Sequence, residues 1–66
     1  MTIRIQIASL RDRANLVAEL WIDDVQIAEV SREQSRFDVE IYPNKLAIPL
    51  DEYLDALRRA KEELLK

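Results

Sequence analysis

The chain has 66 residues, enough for one small domain spanning 1–66, and too few for a dinucleotide-binding fold or a (β/α)8 barrel. It contains no cysteine, histidine or glycine, which excludes disulfides, thiol chemistry, thiolate zinc sites, histidine bases and glycine-rich phosphate loops. Apolar residues make up 48% and charged residues 35%, with a net charge of −3, the balance of a chain that folds.

No long apolar run follows the opening Met-Thr-Ile-Arg-Ile, so neither a signal peptide nor a membrane span is expected, and the expected location is the cytoplasm. A domain of this size buries only about 60% of its unfolded surface. Without disulfides or metals, its remaining supports are tight packing or self-association.

Residues 3–7 alternate, with Ile3, Ile5 and Ile7 on one side and Arg4 and Gln6 on the other, which predicts a strand. Polar residues 9–15 read as a loop. Alternation returns over 16–22, with Leu16, Ala18, Leu20 and Ile22 opposed to Val17, Glu19 and Trp21. Asp23-Asp24 then predicts a tight turn, because aspartate tolerates left-handed backbone.

The third strand, 25–30, slips in phase near Ala28: Val25 and Ile27 share one face, Ala28 and Val30 the other. Either a β-bulge restores the inward phase or both faces are partly covered. Residues 31–35 read as a polar connection. The fourth strand, 36–42, alternates cleanly, with Phe37, Val39 and Ile41 on one side, and Pro43 ends it.

Helical spacing begins around Pro49, where Leu50, Tyr53, Leu54, Leu57, Ala60 and Leu64 form an apolar stripe. Lys61 lies within this stripe and is expected to snorkel. Asp55 with Arg59, and Glu62 with Lys66, are acid-before-base pairs at spacing four. The predicted class is α+β: a four-stranded antiparallel meander with one C-terminal helix packed on one face. Leu54, Leu57 and Leu64 are expected to bury against Phe37, Val39 and Ile41.

No catalytic motif is present. Ser9, Ser31 and Ser35 have no histidine to activate them, and Asp23-Asp24 sits in a predicted turn with nothing apolar to raise a carboxyl pKa. The chain is therefore read as not an enzyme, with no cofactor and no metal site.

Two surfaces stand out. If Leu20 and Ile22 face the helix, Trp21 faces away, and in a two-residue hairpin Val17, Trp21, Ala28 and Val30 would form an apolar patch suited to self-contact, giving a homodimer. A meander also brings the first and third connections to one end of the sheet. There Arg11, Arg13, Arg32 and Arg36 would form a positive region able to meet an anion or an acidic protein partner.

These readings define a small, self-associating protein–protein interaction module of unknown cellular role. Two alternatives stand beside it: a nucleic-acid-binding regulator using the arginine-rich end, and an acidic immunity- or antitoxin-type protein that blocks a basic partner. The negative net charge, and the lack of aromatics among the arginines, argue against a nucleic-acid partner.

Overall fold

The computed structural model describes residues 2–9 and 16–66. Four strands, β1 (Arg4–Ser9), β2 (Leu16–Ile22), β3 (Val25–Glu33) and β4 (Arg36–Ile41), are followed by one helix, α1 (Leu50–Leu65). The strands form one antiparallel sheet in the order β1-β2-β3-β4. This is the predicted α+β meander with a helix on one face.

Strand polarity follows the alternation. Ala18, Leu20 and Ile22 of β2 are buried toward the helix together with Ile3, while Trp21 lies on the opposite face. Asp23 takes the left-handed conformation, at φ 52°, and closes the β2–β3 hairpin.

A β-bulge resolves the phase slip in the third strand. Leu20 pairs with Ala28, but Trp21 pairs with Gln26, so Ile27 is the extra residue. Ile27 and Ala28 both enter the core, and Val30 follows them. β3 also runs three residues beyond the predicted end. Ser31, Arg32 and Glu33 pair with Asp38, Phe37 and Arg36, and the predicted five-residue connection shrinks to a turn at Gln34-Ser35. Gln34 supplies the left-handed residue of that turn, at φ 58°.

The helix begins after Pro49, whose carbonyl accepts the Tyr53 N–H at 3.1 Å. Asp51 and Glu52 occupy its first turn, where they favour the positive end of the helix dipole. Asp55 pairs with Arg59 as expected, whereas Glu62 pairs with Arg58 and Lys66 with Glu63.

The face of α1 that meets the sheet departs from the predicted stripe. Its centre is Ala56 and Ala60, both fully buried, flanked by Tyr53, Leu57 and Leu64. Two alanines let the helix axis approach the sheet closely, so contact is densest over β2 and extends to β1 and β3. Leu54 is 53% exposed, and Val39 and Ile41 of β4 are 47% and 66% exposed. The expected burial of Leu54 against Val39 and Ile41 is therefore corrected: the helix lies over β2, reaching β3 and β1, and leaves Val39 and Ile41 on the helix side of β4 bare.

Candidate functional site: an uncovered apolar half-face beside the helix

The direction of α1 follows from its neighbours. Glu52 and Asp55, early in the helix, line a cleft with Thr2 and Ile3. Glu62, Glu63 and Lys66, late in the helix, line another with Ile5 and Ile7. The helix thus runs over β2 in the direction of β1 and opposite to β4, and its charged side chains Arg59, Glu62, Glu63 and Lys66 lie toward the β1 edge.

On the other side of the helix, the Lys61 Nζ lies 5.2 Å from the centre of the Phe37 ring. Leu54 is two turns earlier on the same flank, about 10.5 Å back along the axis. Three residues of the oppositely running β4 cover about the same distance. Leu54 therefore lies alongside Val39 and Ile41, with Leu50, 70% exposed, one turn further on. Val39 and Ile41 on the outermost strand, and Leu50 and Leu54 on the helix flank turned toward it, are thus exposed apolar residues of neighbouring elements. Scattered apolar residues on a surface need no explanation, but a group of them beside a free strand edge does.

The residues singled out from sequence are placed differently. Trp21 lies on the face away from the helix, as expected. Its Nε1 donates to the Glu19 carboxylate at 3.2 Å, and Arg4 stacks over the ring at 5.5 Å. Val17 is fully buried, and Ala28 and Val30 are buried on the helix side. These four residues do not make one surface. Gln26 stands opposite Trp21, as in a plain two-residue hairpin, but beyond it the bulge at Ile27 shifts the register by one, so Ala28 turns to the helix side opposite Leu20, and Ser31 rather than Val30 stands opposite Val17.

The two described arginines of the expected positive region lie at the same end of the sheet but on opposite faces. Arg32 lies on the helix side, over the Phe37 ring at 5.5 Å, with its Nε donating to the Gln34 carbonyl. Arg36, opposite Glu33, is on the other face and pairs with Asp38 at 3.0 Å. Arg11 and Arg13 lie outside the described residues.

The face away from the helix carries a feature that single-strand alternation did not reveal. Glu19, Glu29 and Glu40 stand directly opposite one another across β2, β3 and β4. Glu29, in the middle, is only 9% exposed. The Tyr42 hydroxyl donates to Glu40 at 3.0 Å; burial, that hydrogen bond and the surrounding carboxylates raise its pKa above the usual tyrosine value. This row could have been found only from the register, which depends on the bulge. Among the described residues no group of three or more acidic side chains is placed to hold a metal ion. Nor is any helix among them long and apolar enough to cross a membrane.

No family model, curated protein or solved structure matches this chain.

Proposed function

We propose that the chain is a small, non-catalytic protein–protein interaction module that self-associates, and that its contact surface is the half-face left bare by the helix. The observation that carries this reading is the group of Val39, Ile41, Leu50 and Leu54, all substantially exposed in a domain whose own core is small. Such a patch mixes an apolar centre with a charged rim, here Arg36, Asp38, Glu40 and Lys61, which is the composition of a contact surface.

Sedimentation across a range of concentrations tests the reading. The native chain is expected to form a dimer. The Ile41→Lys, Leu54→Lys double variant should remain folded and run as a monomer, whereas Trp21→Lys should keep the native size. A native chain that stays monomeric at every concentration, or a double variant that still dimerises, overturns the proposal.

A further inference from the structure

We infer that a second copy of this chain adds to the free edge of β4, strand to strand and antiparallel, in the one register that sets Arg36 opposite Glu40 of the partner copy. This rests on the self-association reading and specifies its geometry. It follows from the edge, the face and the charges taken together.

The edge is available. β4 is paired on one side only, with β3. The Tyr42 N–H points inward, donating to the Ile27 carbonyl at 3.0 Å. Backbone groups alternate in direction along a strand, so Asp38 and Glu40 also point inward, and Phe37, Val39 and Ile41 present N–H and C=O to the outside. β1 is the other edge of the sheet, but helix side chains Arg59, Glu62, Glu63 and Lys66 lie toward it. Charge along an edge discourages pairing. Over β4 the neighbouring surface is apolar.

Two like strands meeting about a two-fold axis must keep their apolar sides together, which leaves few registers. Centring the axis on Phe37 sets Arg36 against the partner's Asp38, but β4 begins at Arg36, so only residues 36–38 pair and the two Phe37 close just two backbone hydrogen bonds. Centring the axis on Val39 sets Asp38 against Glu40 of the partner copy twice, placing like charges directly opposite. Centring it on Glu40 sets two Glu40 side chains face to face. Centring it on Asp38 sets Arg36 against the partner's Glu40 twice, and Phe37 against the partner's Val39 twice. The two Asp38 side chains then meet at the axis, each already paired with its own Arg36 at 3.0 Å. Opposite charges directly across a ladder stabilise it and like charges oppose it. In the Asp38 register, the outward backbone groups of Phe37 and Val39 close four hydrogen bonds between the copies. The product is one continuous eight-stranded sheet, with both helices on the same side and the apolar sides of the two β4 strands joined into a single floor between them.

Charge reversal tests the register by sedimentation equilibrium, with melting curves to confirm folding. Arg36→Glu alone, or Glu40→Arg alone, should weaken self-association about tenfold by creating two like-charge pairs. The double variant should return to within about twofold of the native value. An equimolar mixture of the two single variants should pair with each other in preference to themselves. Val39→Pro removes an outward N–H without touching the β3–β4 ladder, and should give a folded monomer. If Ile41→Lys with Leu54→Lys abolishes dimerisation while charge reversal and Val39→Pro leave it unchanged, this geometry is wrong and the contact surface stands. If the native chain does not self-associate, both fall.

Discussion

Ile27 and Ala28 are neighbours in the chain, yet both side chains are fully buried on the helix side of the sheet. In a regular strand one of them would face the other way. The extra residue at the bulge lets both turn inward, and the inward phase then passes to Val30. Ile27→Ala should cost about 2–5 kcal/mol, since it removes a large side chain from a site that cannot collapse around the loss. For a chain of this length the whole stability is roughly 3–10 kcal/mol. Urea denaturation reads this directly; an unchanged midpoint would place Ile27 outside the core.

The helix reverses the usual ranking of leucine and alanine. Ala60 is fully buried at the contact with the sheet, and Leu54 is largely exposed. Ala60→Leu should therefore destabilise by about 1–3 kcal/mol, because the added carbons must lift the helix from β2. Leu54→Ala should stay within about 0.5 kcal/mol of the native chain in its monomeric state. Thermal melts of the two variants at low concentration decide between this placement and one centred on the leucines.

With no glycine in the chain, both left-handed turn positions among the described residues fall on residues with a side chain, Asp23 and Gln34. Aspartate tolerates this conformation better than glutamine, which lacks the short polar arm that bonds to local backbone. Gln34→Gly should raise stability by about 1 kcal/mol, a melting shift of about 4–8 °C for a domain of this size. Asp23→Val should lower it by a comparable amount, as a β-branched side chain is forced into the same region. No gain from the glycine variant would mean that the turn is not left-handed at Gln34.

The Tyr53 hydroxyl is buried without a hydrogen-bond partner, and burial raises its pKa above the ordinary tyrosine value. Its proton is held more tightly in the folded state than in the unfolded one. The associated stability is fully present below the unfolded pKa of about 10, and is lost as the pH rises past it through the folded value. Tyr53→Phe should be neutral or stabilising at pH 7, since an unsatisfied polar group is removed. It should also lose less stability than the native chain between pH 9 and pH 11. Equal alkaline losses in the two chains would remove Tyr53 from the account.

The architecture was legible because each strand alternates over its own length and each connection is short. The limits of β2, the turn at Asp23-Asp24 and the place of the helix could all be read locally. What could not be read depended on relations between strands. A bulge was foreseeable as one of two solutions near Ala28, but its placement at Ile27 sets the β2–β3 register, and that decided which residues stand beside Trp21. The face of the helix is not legible locally, because leucines outweigh alanines in any hydrophobic stripe, while close packing on a sheet favours small side chains at the centre. These two relations, the β2–β3 register and the helix face, place the candidate surface. Its residues have the alternation and spacing of core positions.

The helix follows all four strands in the chain, and it supplies the only described helical cover for the sheet. The sheet's inner face therefore stays uncovered until the helix has formed and docked. Until then Leu20, Ile22, Ile27 and Val30 have nothing to pack beneath, and chaperone capture or coalescence with other unfinished chains competes with completion of the fold. Overproducing a chaperone alongside the chain should raise the soluble yield without altering the finished molecule.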